Sequence, residues 1–338
     1  MPHTNVALFV PHAGCPHQCS FCNQRAITGS AVVLRPAEVA AACERAAATM
    51  RSAPGQAEIA FFGGSFTAVD EAYRTALLQA AYPYVEKGLF AGIRISTRPD
   101  AIDEAILTQL RRFGVTAIEL GAQSMDDNVL RRNGRGHTAD DVERASRLIH
   151  TFDIALGLQM MTGLPGSSPD TDRGTAARLC TLCPDTMRIY PAVVMEGTLM
   201  ADWYRAGRYI PPTLEEAVGL GAELLQFVEW ERGIPVIRMG LHAGGEVESA
   251  YVAGPYHPAF RELCESRLYR GLAHEALRRA APQGGRATLW VAPNALSKMI
   301  GHKRDNIAWL ASRGYTVAVR GDGAVPSRTV RADIEERM

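Results

Sequence analysis

Six apolar segments of strand length alternate with five stretches of helix length over the first 195 residues, and this alternation limits the fold more than any other feature. The apolar segments are residues 6–10, 58–62, 92–96, 117–120, 155–161 and 187–194, with helical patterns at 36–50, 71–86, 102–113, 139–150 and 172–181. Strands that are apolar on both faces and joined through helices imply a parallel sheet with crossover connections. Six units in order predict an α/β fold, a partial (β/α)6 barrel. In barrels of this kind chemistry sits in the loops that follow the strand C-termini. Short motifs fall in those loops. A cysteine-rich loop follows the first strand, Gly63-Gly64-Ser65 the second and Thr97-Arg98-Pro99 the third. Gln123-Ser124 follows the fourth and Gly163-Leu164-Pro165-Gly166 the fifth.

The first loop carries Cys15, Cys19 and Cys22 with the spacing Cys-x3-Cys-x2-Cys, so three thiolates can converge from one short segment. A closed structural zinc site takes four ligands. Three thiolates suit a four-iron cluster that keeps one iron free of protein, since such clusters are held by cysteine. The alternative is three thiols that are free or bind zinc. The other four cysteines, Cys43, Cys180, Cys183 and Cys264, read as small buried thiols or as ligands of an auxiliary cluster.

With 338 residues, 47% of them apolar, the chain has room for one large barrel and a smaller appendage. No apolar run reaches bilayer-spanning length, and the start, Met1-Pro2-His3-Thr4-Asn5, lacks the regions of a signal peptide. A cytoplasmic protein without membrane association is expected. Seven cysteines, three of them in the cluster spacing, do not suggest a disulfide scaffold. The net charge is zero but uneven. From Arg261 onward there are 14 Lys and Arg against 8 Asp and Glu, a modest excess that favours a polyanionic partner.

Beyond residue 194 the pattern changes. A long helix at 213–230, a strand at 235–241, a strand-like piece between Gly244-Gly245 and Gly254-Pro255, and a helix at 258–281 precede the turn Pro282-Gln283-Gly284-Gly285. The expected division is therefore a barrel over 1–195, an extension packing on it over 196–282, and a small basic α/β piece over 283–338.

Taken together, these motifs resemble the radical S-adenosylmethionine (SAM) superfamily. The resemblance implies that Cys15, Cys19 and Cys22 bind a [4Fe–4S] cluster whose fourth iron is chelated by SAM. Phe21 then packs at the adenine edge, and Gly63, Gly64 and Ser65 receive the methionine end, where absent Cβ atoms let the backbone approach. Thr97, Gln123, Ser124, Arg135 and Gln159 complete the expected cofactor site. The runs Ile118–Ser124 and Asn133–Thr138 resemble the branch holding oxygen-independent coproporphyrinogen oxidase and the elongator catalytic subunit. Met160–Gly166, Ser96–Asp100, Met187–Pro191 and Ala253–Pro258 look most like the elongator subunit. The gap between the first two cysteines is shorter than in that subunit. Arg188 stands where its motif has Lys, and no acetyltransferase glycine loop is visible, so acetyl transfer is not expected. The implied chemistry is reductive SAM cleavage to a 5′-deoxyadenosyl radical, with an electron from a reductant such as flavodoxin or ferredoxin.

Ile300-Gly301-x-x-Arg304-x-x-Ile307 resembles the core of a KH RNA-binding module, which implies that His302, Lys303 and Arg304 face phosphates. The other reading of this piece is a structural α/β cap. An RNA-modifying enzyme, acting on a tRNA base, is the leading expectation. A small-molecule or tetrapyrrole substrate, or a non-catalytic RNA-binding or redox-sensing protein, are the alternatives. Glu119 reads as a buried paired carboxylate or a site residue, and Arg98 and Arg135 as site residues or surface ion pairs. His12, His17, His242 and His257 read as structural.

Overall fold

The computed structural model describes residues 4–10, 15, 19–23, 33–49, 55–242 and 244–335. His12 and His17 lie outside these residues. The chain makes two compact units, one of Met1–Pro212, Ile234–Arg238 and His242–Tyr256, the other of Thr213–Gly233, Met239–Leu241 and His257–Met338.

In the first unit the alternation becomes a parallel sheet. Strands β1 (Thr4–Val10), β2 (Ala57–Gly63), β3 (Gly92–Thr97), β4 (Val115–Gln123), β5 (Ala155–Thr162) and β6 (Thr186–Pro191) pair in sequence order, each parallel to the next. The expected partial barrel is thus present. A seventh strand, β8 (Val236–Met239), joins beside β6. The expected sixth strand is shorter than the apolar run. Pro191 ends it, and Val194–Met195 (β7) turns away to pair antiparallel with Tyr251–Ala253 (β9). The strand-like piece after Gly244 is instead a short helix, Gly245–Ala250, followed by β9.

Helices α1 (Pro36–Thr49), α2 (Glu71–Glu86), α3 (Glu104–Arg112), α4 (Asp127–Arg132), α5 (Ala139–Thr151) and α6 (Pro169–Thr181) connect the strands. Their starts are written in the sequence. Asp70, Asp103, Asp126 and Ser168 each accept a first-turn N–H, and Thr138 with Asp141 forms a capping box on α5.

The inner face of the sheet is charged. Arg94 on β3 donates to Glu58 on β2 at 2.8 Å and to Glu119 on β4 at 2.6 Å, and all three are buried. Arg188 on β6 reaches the other Glu119 oxygen at 3.3 Å and lies over the Phe62 ring. Two acids and two arginines cancel, which is the condition for burying charge at all. Glu119 is therefore a paired buried carboxylate. Gly157 makes room for it, because a Cβ there would meet Glu119 Oε2 at 2.2 Å.

In the second unit, helix α8 (Leu214–Leu225) and helix α10 (Phe260–Ala280) accompany a β–α–α–β piece. Strand β10 (Gly285–Val291) is central. Strand β11 (Tyr315–Gly321) runs parallel to it, and β12 (Arg331–Ile334) is antiparallel on the other side. Helices α11 (Leu296–Ile300) and α12 (Asp305–Ala311) flank the 301–304 loop. Leu289, Val291, Met299, Leu310 and Tyr315 form the core with Ala273 and Leu277 of α10. Strand β10 begins at Gly285 and ends before Pro293, which opens a 3-10 turn.

Replacing Gly157 by Ala is expected to overpack the sheet against a carboxylate that has no free space, costing about 1–3 kcal/mol. A denaturant midpoint equal to wild type would show that Glu119 swings away freely.

Candidate active site

Every loop motif from the parallel strands emerges at one end of the sheet. There the cysteine segment is fastened by Asn133, the C-terminal cap of α4. Ser20 donates from its backbone N–H to Asn133 O at 3.0 Å and from Oγ to Asn133 Oδ1 at 2.6 Å. The Asn133 amide in turn donates to Val129 O and to Pro165 O, tying in the loop after β5. That loop is fixed from two further sides. Gly163 N–H donates to Asp172 at 2.8 Å, and the Tyr209 hydroxyl donates to Gly163 O at 2.7 Å. Neither Ser20 nor Asn133 was singled out by the sequence. Asn133 opens the Asn-Gly-Arg-Gly run, but nothing in that run shows which loop it grips.

Among the sequence-assigned ligands, Cys19 is buried, with Sγ 3.2 Å from Arg135 Nη1. Cys22 N–H closes a turn onto Cys19 O at 3.1 Å. Cys15 is exposed as a residue, but its sulfur is set back against the Ser65 N–H. Burial pushes that thiol upward, helped by the Cys19 thiol, while Arg135, Arg98 and the Ser65 N–H pull it down. Among the described residues no three His, Cys, Asp or Glu side chains close on a single ion. Ligands of a multi-iron cluster bind different irons and do not need to meet at one point.

Gly63 ends β2 at φ +105°, a backbone region open to glycine, in register with Val10. Ser65, Thr67 and Thr97 form a hydroxyl knot. Thr97 Oγ1 lies 2.9 Å from Ser65 Oγ and 2.5 Å from Thr67 Oγ1, and Ser65 Oγ also accepts from Arg98 N–H. These hydroxyls join the loops after β2 and β3 to each other. Arg98 is not a surface ion pair. It is buried, bidentate to Asp100 at 2.5 and 2.8 Å, and donates to Arg135 O at 3.0 Å. Arg135 is half-buried and donates to Gly121 O at 2.5 Å.

Gln123 sits at a bulge in the β4–β5 pairing with φ +66°, an uncommon value for a residue with a Cβ. The bulge places its side chain beside Gln159, whose amide donates to Gln123 Oε1 at 3.3 Å. Gly121 stays bare between them and Arg135, since a Cβ would lie 2.9 Å from Gln123 Nε2. Ser124 is turned elsewhere. Its hydroxyl faces Thr175 of α6 and accepts from Asp126 N–H. Phe21 is partly buried between Val194, Met200 and Ala201 on one side and Val129, Leu164 and Ala192 on the other. The structure thus brings Cys15, Cys19, Gly63, Ser65, Gln123, Arg135 and Gln159 to one rim. His302, Lys303 and Arg304 belong to the second unit.

A parallel α/β half-barrel with thiols, bare glycines and amide side chains at its C-terminal rim defines a cofactor-binding class of protein. Residues 9–179 match the Radical SAM superfamily, and residues 184–270 match the Radical_SAM C-terminal domain. The chain belongs to the radical SAM superfamily, whose enzymes use a [4Fe–4S] cluster and SAM. It is 29% identical to a tRNA uridine(34) acetyltransferase of Dehalococcoides mccartyi over 67% of this chain and 56% of that one. It is 28% identical to human Elongator complex protein 3 over 62% of this chain and 41% of that one. The chain thus spans about half the length of these curated relatives. An archaeal Elp3 structure from Methanocaldococcus infernus superposes with a TM-score of 0.61 at 22% identity, covering 81% of this chain and 63% of that one, a likeness of fold. No helix of the described residues is long and apolar enough to cross a membrane.

The residues present fit both cofactors. Three thiols would leave one iron open, and the Arg135 guanidinium would place a positive charge beside the Cys19 sulfur.

One further group has a pH signature. His137 is buried, bonded through Nε2 to Ala122 O at 3.1 Å, with no partner for its Nδ1 among the described residues. Burial, then the Arg135 charge, push its pKa down to about 4. A depressed histidine favours the fold above its unfolded value near 6.5, and this contribution is lost as pH falls from there through about 4. Comparing His137→Asn with wild type, the stability difference between pH 7 and pH 4 is expected to be smaller in the variant. Parallel stability curves would show that His137 titrates normally.

Proposed function

We propose that this protein is a radical SAM enzyme that cleaves SAM reductively at a [4Fe–4S] cluster and modifies an RNA base, most simply a tRNA base. The observation that carries the first half is the meeting of the cysteine segment with Arg135, the Gly63–Ser65 turn and the Gln123–Gln159 pair at one rim. When bound, the two cofactors supply a radical able to take hydrogen from an unactivated C–H bond.

The chain's own residues then have separate tasks. Cys15, Cys19 and Cys22 hold the cluster. Gly63 and Gly64 leave space for the methionine end of SAM, and Phe21 covers the adenine. Gln123, Gln159 and Arg135 have the donors and acceptors for the ribose and carboxylate. Ser65 and Thr97 fix the loops that carry these groups, and Ser124 holds the start of α4. Arg188, covered by Phe62 and held by Glu119, keeps a cation on the inner face below the rim.

The RNA half rests on two supports: the tRNA in the name of the Dehalococcoides mccartyi relative, and the loop between α11 and α12. There Gly301, Lys303 and Arg304 have φ of +83°, +50° and +66°. Arg304 therefore holds a left-handed backbone that glycine adopts freely, at about 1–2 kcal/mol. Its neighbour Asn306 donates to the carbonyls of Ser266, Lys298 and Met299, which pins the loop while His302, Lys303 and Arg304 stay exposed. A low-potential donor such as flavodoxin or ferredoxin, and action in the cytoplasm, complete the reading.

Two measurements test it. After anaerobic reconstitution with iron, sulfide and dithionite, wild type is expected to convert SAM to 5′-deoxyadenosine, and single Ala variants at Cys15, Cys19 or Cys22 to lose this while remaining folded. Retained cleavage in the variants would remove the cluster from the reading. Changing Lys303 and Arg304 together to Glu is expected to weaken RNA binding and to flatten its salt dependence by a slope of about 0.7 per lost contact on a single strand. Equal affinity in two well-folded proteins would reject the phosphate clamp and favour a small-molecule substrate.

A further inference from the structure

Arg135 and Cys19 are held against each other by more than their own contact. The Arg135 carbonyl is gripped by Arg98, itself bidentate to Asp100, and Nη2 is bonded to Gly121 O. Cys19 precedes Ser20, which bonds twice to Asn133, two residues before Arg135. Donor and acceptor thus stand on the two sides of one clamp, and the 3.2 Å approach of Nη1 to Cys19 Sγ is built in. A guanidinium carries five N–H donors and no acceptor. Among the described residues its Nε is buried without a partner, so the group retains donors beyond the two contacts it makes there.

Hydrogen bonds to cluster sulfurs and nearby charge are among the factors that set an iron–sulfur potential. A cation that donates to a ligating thiolate stabilises the form carrying one more electron. We propose that Arg135 sets the reduction potential of the cluster through its hydrogen bond to Cys19 Sγ, holding it above the value the three thiolates alone would give. The step concerned is a one-electron reduction by an external low-potential donor, with no bond made or broken and no proton moved. This inference rests on the reading of Cys15, Cys19 and Cys22 as cluster ligands, and it is separate from any contact of Arg135 with SAM.

The test compares wild type, Arg135→Gln and Arg135→Lys after anaerobic reconstitution. Iron and sulfide analysis comes first, then redox titration followed by electron paramagnetic resonance in the absence of SAM. Without SAM present, a lost cofactor contact cannot move the result. The Gln variant is expected to lower the reduced-to-oxidised ratio about tenfold at a given applied potential, ~59 mV for one electron. The Lys variant, which keeps the charge but not the fork, is expected to shift less. A fully loaded Gln variant with the wild-type potential overturns the proposal. So does failure of both variants to take up a cluster while folded, which would make Arg135 an assembly residue. A wild type that binds no iron would instead sink the cluster reading itself.

Discussion

The buried pairing of Arg94 with Glu58 and Glu119 is the interaction on which the barrel unit depends. It ties three adjacent parallel strands across their inner face, where a half-barrel has no side chains from an opposite wall to fill it. Charge buried there is tolerable only because it is balanced, and each oxygen that lost its partner would keep its desolvation cost. Arg188 extends the balance to β6, and Phe62 shields it. Gly157 shows how closely the layer is fitted, since even a methyl group on β5 would collide with Glu119. Above this charged layer, along the same strands, lies the rim where the loop motifs emerge.

The rim is organised by backbone acceptors and small polar side chains rather than by a catalytic constellation. Asn133 uses both ends of its amide to join the cysteine segment, α4 and the loop after β5. The hydroxyl knot around Thr97 joins the next two loops. These contacts are satisfied internally. Such an arrangement leaves Cys15, Cys19 and the Gln123–Gln159 pair, joined by one contact of 3.3 Å, at the rim. It is the organisation expected where cofactors do the chemistry and the protein supplies orientation.

The second unit solves a different problem. Its helices and three strands bury an ordinary apolar core, and the polar investment is concentrated at one loop. Asn306, buried with its amide nitrogen shared among three carbonyls, holds that loop while Lys303 and Arg304 remain in solvent. Arg304 accepts backbone strain that glycine would avoid, and what it adds in return is a positive charge at the turn.

The sequence by itself determined the alternation of strands and helices and the positions of the loop motifs. Strand periodicity, apolar runs and capping residues such as Asp70, Asp103 and Thr138 act over a few residues, so they are legible locally. The cysteine spacing is equally local, and it identified the cofactor class without any geometry. Tertiary structure alone decided what the polar residues do. Thr97 and Ser65 turned out to bind each other, and Ser124 faces Thr175, because a hydroxyl takes whichever partner the fold brings within reach. Gln123 gained its place from a bulge that no spacing rule predicts, and Arg98 became a buried anchor rather than a surface ion pair. Arg135 met Cys19 across 116 positions of sequence. Pairings of that kind are set by the closure of the sheet, and a linear pattern carries no record of them.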